Sequence, residues 1–175
     1  MTPPNGDADT TTQSILEKRA ARLRLVTKES ASDDELLVAQ FSPHDERYAF
    51  PLEAICAASS FRGVTHVPLA PPHVLGLVRF EGRVICVYSL PLLLGFGSWH
   101  KDPEVLLVLQ CGADKLIACD CDEVPRAIAV SKLQTMNGKR IVDSDPILEV
   151  TTASPRTLFL IDPARFYARA MGHGT

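Results

Sequence analysis

Gly76-Leu77-Val78-Arg79-Phe80-Glu81-Gly82-Arg83-Val84-Ile85-Cys86-Val87-Tyr88-Ser89-Leu90 is the stretch that decides the fold. Two apolar, β-branched-rich runs flank Glu81-Gly82, and a glycine-containing pair of residues is what a tight turn between antiparallel strands requires. The stretch therefore reads as a β-hairpin. Upstream, 64–72 holds Pro68, Pro71 and Pro72, which cannot donate to a sheet ladder, so it reads as a loop or irregular edge. Downstream, 91–94 has room for one helical turn before Gly95 and Gly97 stop it.

The same texture continues in both directions. Residues 36–41 and 48–52 are apolar runs around the turn 42–46, and 53–61 continues extended to Arg62-Gly63. Residues 104–111 and 115–121 form another hairpin around Gly112-Ala113-Asp114, followed by a strand over 124–130. The segment 131–145 is mostly polar. Strands over 147–152 and 157–161 lead to Asp162-Pro163, a cap-then-proline start for a C-terminal helix through Arg169. Leu36-Leu37-Val38-Ala39-Gln40-Phe41 is echoed by Leu106-Leu107-Val108-Leu109-Gln110-Cys111. Such an echo suggests two similar β lobes, although short apolar runs also resemble one another by chance. Lobes of about five strands suit small barrels, because closure removes exposed edges.

At the N-terminus, Pro3, Pro4, Gly6 and three threonines predict a disordered tail over 1–13. Ser14 with Glu17 makes a capping box, and Ile15, Leu16, Ala20 and Leu23 recur at helical spacing, predicting an amphipathic helix over 15–25. Its basic residues Lys18, Arg19, Arg22 and Arg24 are either a solvated face or a dock for an acidic surface.

Composition removes several function classes. A net charge of −3 supplies no pull toward nucleic acid or anionic lipid. The first fifteen residues lack the apolar stretch of a signal peptide, and no apolar run is long enough for a membrane span. Five cysteines, an odd number, then read as reduced thiols in a cytoplasmic protein.

The search for catalytic chemistry is negative. Cys119 and Cys121 face one side of a strand with Cys111 across the hairpin, but the paired Cys-x-x-Cys spacing of a structural zinc site is missing, so core packing is the better reading and no metal or other cofactor is expected. No Gly-x-Ser-x-Gly elbow or phosphate-binding loop occurs. The five histidines sit in no catalytic pattern, and only His66, within the proline-rich loop, stands out as an interface candidate. Asp120, Asp122 and Glu123 read as solvated charges at a strand end. Binding of other proteins is a better class than catalysis.

The stretch 64–90 resembles the central signature of CheW-like domains, a proline-centred loop followed by Gly-Val-x-Asn-Leu-Arg-Gly-x-Val-Ile-Pro-Val-x-Asp-Leu. Gly76, Gly82, Val84, Ile85, Val87 and Leu90 match at the right spacing. Residues 116–124 resemble the family's Val-Asp-x-Val strand end, and 158–166 its closing strand and helix. The helix Ile15 to Ala20 resembles one found in a subset of these adaptors. The resemblance implies a mainly β fold of two small five-stranded SH3-like barrels with short terminal helices, over 35–167. The tail 1–13, the helix and linker 14–34 and the tail 168–175 lie outside it.

The resemblance also implies a non-catalytic, cytoplasmic scaffold, recruited to receptor arrays. It would couple the cytoplasmic tip of methyl-accepting chemoreceptors to a CheA-type histidine kinase, with no nucleic acid and no membrane insertion. One face would take the kinase and the groove between barrels the receptor tip. The residues expected to bind partners are Val64, His66, Val67, Leu75, Gly76, Arg79, Phe80, Glu81, Gly82, Asp122 and Val124. Of these, Val64, Val67, Leu75 and Phe80 would form an exposed apolar rim. Three departures from the pattern matter: Glu81 stands for the Arg before the second Gly, Cys86 for the Pro and Ser89 for the Asp. Arg79, in place of the usual Asn, would restore a positive charge near Glu81. A reversed charge at an interface changes partner choice before it changes the fold. A divergent accessory subunit of a non-motility pathway is therefore the alternative, with a small β-barrel enzyme or metal protein behind it.

Overall fold

The computed structural model describes residues 33–97, 103–140, 145–152 and 157–172. The expected N-terminal tail and helix, over 1–25, lie outside these residues, as do 173–175 of the expected C-terminal tail, while 168–170 belong to the last helix. Among the described residues, ten strands and three short α-helices follow in chain order: β1 (Glu35–Phe41), β2 (Arg47–Pro51), β3 (Ile55–Ser60), β4 (Val74–Phe80), β5 (Arg83–Tyr88), α1 (Leu90–Leu94), β6 (Val105–Gln110), β7 (Leu116–Cys121), β8 (Arg126–Ser131), α2 (Lys132–Met136), β9 (Ile147–Val150), β10 (Leu158–Ile161) and α3 (Pro163–Ala170). Single 3-10 turns sit at Pro43–Asp45 and Leu52–Ala54. α2 lies in the mostly polar stretch after β8. It gives no sequence signal because its apolar residues Leu133 and Met136 are exposed, so no buried stripe marks it.

The strands form two five-stranded sheets, in the orders β8-β1-β2-β10-β9 and β3-β6-β7-β5-β4. The second is contiguous in sequence and inserted into the first, which is built from both ends of the chain. The two are otherwise alike. Each has an antiparallel hairpin at its second and third places (β1–β2, β6–β7), an antiparallel outer neighbour (β8, β3), a parallel strand on the other side (β10, β5) and an antiparallel last strand (β9, β4). A further isolated bridge lies on each last strand, Lys139↔Glu149 on β9 and Thr65↔Leu77 on β4. The order 8-9-10-1-2 of the split lobe thus corresponds to 3-4-5-6-7 of the inserted lobe, a circular permutation. The echoing segments around β1 and β6 hold equivalent places. Among the described residues neither ladder closes fully into a barrel.

Side-chain alternation distributes three cores. Val38, Ala49, Val130, Val150, Leu158 and Leu160 fill the split lobe. Ile85, Val87, Leu106, Val108 and Ala118 fill the inserted lobe. The largest core joins the opposite faces of both sheets: Phe41, Tyr48, Phe50 and Ile161 from one, Leu107, Leu109, Ile117, Cys119 and Cys121 from the other, closed by α1 and by Phe166 of α3. Here Phe50 packs edge-on to Phe166 at 5.5 Å and Tyr48 stacks on Phe159 at 5.1 Å. β6 is buried on both faces, and for that reason it reads as a continuous apolar run.

Candidate protein-binding surface

The hairpin β4–β5 turns where expected. Phe80 pairs with Arg83, leaving Glu81-Gly82 as a two-residue loop with φ of 46° and 77°. Both values are positive, as a type I′ turn requires to match strand twist. Gly82 takes this conformation freely, whereas Glu81 holds it at a cost of about 1–2 kcal/mol. Gly76 answers a different need. The chain before β4 folds back so that Thr65 and Leu77 exchange two 2.8 Å hydrogen bonds. A Cβ on Gly76 would strike the Thr65 carbonyl, and only glycine leaves room.

The structure places the expected binding residues in three separate regions. Val64, His66, Val67, Leu75 and Gly76 gather where the loop after β3 crosses the free edge of β4. Arg79, Phe80, Glu81 and Gly82 lie at the hairpin tip, and Glu81 stands six residues, or about 20 Å of strand, from Leu75. Asp122 and Val124 lie in the loop between β7 and β8. The expected apolar rim is not exposed: Val64, Leu75 and Phe80 pack half-buried against the inserted lobe's core, and Val67 is half-buried too. Their side chains extend the apolar core of the inserted lobe instead of standing out from it. Arg79 and Glu81 are both exposed, Arg79 near the end of β4 and Glu81 in the turn itself.

The third region borders a small apolar groove between the lobes, open to solvent. Ile55, Cys56, Ala57 and Ala58 of β3 and Leu107 of β6 form one wall. Ala39 of β1, Ala127 of β8, Val124 and Pro125 form the other, and Leu52 closes the end. No lining side chain carries a charge, and four are alanines, which admit close approach of a partner's backbone. Sequence reading found only Val124 of this set. The remainder read as ordinary strand residues because the groove exists only once β3 and β8, far apart in sequence, face each other.

The end of β7 departs from the solvated charges expected there. Asp120 is buried, and its Oδ1 accepts a 2.6 Å hydrogen bond from the Leu90 amide at the start of α1. Burial raises its pKa to about 6 against the pull of that hydrogen bond. At the equivalent place in the split lobe, α3 is capped by its own preceding residue, Asp162. The corresponding Ser89 gives α1 no side-chain cap, and Asp120 serves from the neighbouring strand instead. This accounts for how the fold accommodates serine at that position. The neighbouring Glu123 is exposed and accepts from the Ser42 amide at 3.1 Å.

Cys111, Cys119 and Cys121 are core side chains. Burial pushes Cys111 and Cys121 up to about 12 and raises Cys119 as well, which keeps all three as thiols. Among the described residues no group of three or more His, Cys, Asp or Glu side chains converges as a metal site would require. No helix among them is long and apolar enough to cross a membrane.

Two five-stranded lobes around a shared groove, with a glycine-spaced hairpin in the inserted lobe, match a known family. The model of the CheW-like domain aligns with residues 38–171. The chain belongs to the CheW-like domain family. It is 25% identical over 123 residues to the chemotaxis protein CheW of Helicobacter pylori, covering 70% of this chain and 69% of that one. Among solved structures, it superposes on the scaffolding protein TtCheW of Thermoanaerobacter tengcongensis with a TM-score of 0.61 at 16% identity, covering 72% of this chain and 88% of that one. That second likeness establishes the CheW fold, with its two SH3-like lobes.

Proposed function

We propose that this CheW-like protein is a non-catalytic, cytoplasmic scaffold that couples the cytoplasmic tip of a chemoreceptor to a CheA-type histidine kinase. The observation that carries the reading is the uncharged inter-lobe groove. A concave apolar surface lined by alanines and branched aliphatic residues suits the convex apolar stripe of a helix, the form a receptor tip presents. The inserted lobe, with its hairpin tip and proline-rich loop, is left for the kinase. Glu81, exposed and held in a strained turn, favours a partner with a basic patch there, which gives the accessory-subunit reading a physical basis.

Co-sedimentation with a receptor signalling fragment and a CheA-type kinase tests the proposal. The wild-type protein is expected to bind both. Val124→Glu places a charge on the groove wall, where a docked helix would bury it without a partner. It is expected to weaken receptor binding at least tenfold and leave thermal stability unchanged, because Val124 is 40% exposed in the free protein. Wild-type protein that binds neither partner would sink the reading.

A further inference from the structure

The short helix α2 is pinned at both ends, yet its large apolar side chains face solvent. At its start the Lys132 amide donates to the Asp34 carbonyl at 2.8 Å, and the Lys132 ammonium reaches the Asp33 carbonyl. Just past its end, Lys139 and Glu149 exchange two backbone hydrogen bonds of 2.9 Å. Between these anchors stand Leu133 and Met136, 68% and 82% exposed. Residues three apart lie on one side of a helix, so the two form a single apolar spot held in a fixed place. One exposed leucine is ordinary, whereas two large apolar side chains presented together mark a surface that something covers.

The anchor at Lys132 also says which part of the chain is at hand. Asp33 is the first described residue, and it is tied to the position just before Leu133. The preceding chain therefore leaves the described fold beside the first turn of α2. In that chain Ile15, Leu16, Ala20 and Leu23 have the spacing that predicts an amphipathic helix over 15–25, and an apolar stripe of this kind needs a surface to bury against. Seven residues, 26–32, join the segment to Asp33 and span up to about 25 Å when extended. Met136 lies only about 6 Å along the helix axis from Lys132, so the tether reaches both side chains with slack. A tether this short gives an effective concentration on the order of millimolar, and a small apolar contact then suffices. Asp33 and Asp34 are exposed beside the same turn and complement Lys18, Arg19, Arg22 and Arg24 in sign. We propose that residues 15–25 dock through their apolar side onto Leu133 and Met136 of the same chain, adding an outer layer to the split lobe. This does not depend on the scaffold reading.

Hydrogen exchange read by mass spectrometry on the full chain tests this. Leu133→Ser with Met136→Ser removes the dock, and Leu16→Ser with Leu23→Ser removes the occupant. A helix of this length is marginal in water by itself, so protection over 15–25 reports docking. Amides of 15–25 are expected to exchange at least roughly tenfold more slowly in the wild type than in either double variant. Exchange in β1 and β8 is expected to stay the same in all three proteins, which separates undocking from unfolding. Trypsin, which cuts after Lys18, Arg19, Arg22 and Arg24, is expected to cleave both variants faster than the wild type. Equally fast exchange over 15–25 in all three proteins overturns the docking. Protection lost in L16S/L23S but kept in L133S/M136S overturns the assignment to α2 and moves the segment to another surface. Protection that falls on dilution together with a dimer overturns the same-chain assignment in favour of a second copy.

Discussion

Asp120 shows how one side chain links strand, helix and solvent pH. Its carboxylate is enclosed at the end of β7, reached by the Leu90 amide and the Ser89 hydroxyl, with Asp122 adding repulsion. In the unfolded chain it titrates near the ordinary aspartate value of about 3.9, and in the fold near 6. The folded state therefore holds the proton more tightly between these values. Its contribution to stability is fully present below about pH 4 and is lost as pH rises through 6, on the order of 3 kcal/mol. Asp120→Asn keeps an oxygen for the Leu90 amide and removes the ionisation. Urea midpoints of the two proteins are expected to diverge in favour of the variant from pH 5 to pH 7.5. A parallel pH dependence would show that Asp120 ionises without cost. Sequence alone placed this residue among solvated charges, because burial at a strand end depends on what packs there, and α1 arrives from thirty positions away.

The third helix was readable from its first two residues. Asp162 precedes Pro163, and in the structure Asp162 Oδ1 accepts from the amides of Ala164 at 3.0 Å and Arg165 at 3.1 Å. Its Oδ2 meets Arg140 at 3.2 Å, tying the segment before β9 to the helix. Asp162→Ala is expected to destabilise the protein by about 1–2 kcal/mol, measured by urea unfolding. Asp162→Ser restores a capping oxygen without the charge and should recover most of that loss; if it recovers none, the ion pair with Arg140 is the larger effect. The hairpin β4–β5 was equally legible, since two apolar runs around a glycine turn mark it within some fifteen residues. α2 was not, being shorter than two turns and apolar only on its exposed side.

The molecule as a whole is held by the core between its lobes. The sequence suggested two lobes through one echo, and the shared core of Phe41, Tyr48, Phe50 and Phe166 could not be read from it, because those aromatics come from strands and a helix brought together only by the fold. Phe50 is fully buried there. Phe50→Ala is expected to cost about 3–5 kcal/mol. It should do so in a single transition with unchanged denaturant dependence, because neither lobe keeps its outer face without the other. Two separate transitions would instead show lobes that fold independently. The candidate surface was partly legible for the same reason: the hairpin glycines and the proline loop are local, while the groove is assembled from β1, β3, β6 and β8.

The permuted arrangement of the lobes also sets an order of events during synthesis. The inserted lobe ends at Cys121, so all five of its strands are available while translation is still under way. The hairpin β1–β2 leaves the ribosome first and finishes last, since its parallel neighbour β10 ends only at Ile161. At ribosomal rates of about 5–20 residues per second, Phe41, Tyr48 and Phe50 wait on the order of ten seconds for Ile161 and Phe166, the last of the large core residues to join them. A nascent chain of this protein therefore presents the aromatic face of β1–β2 to an already complete inserted lobe before β10 and Phe166 arrive to close the shared core.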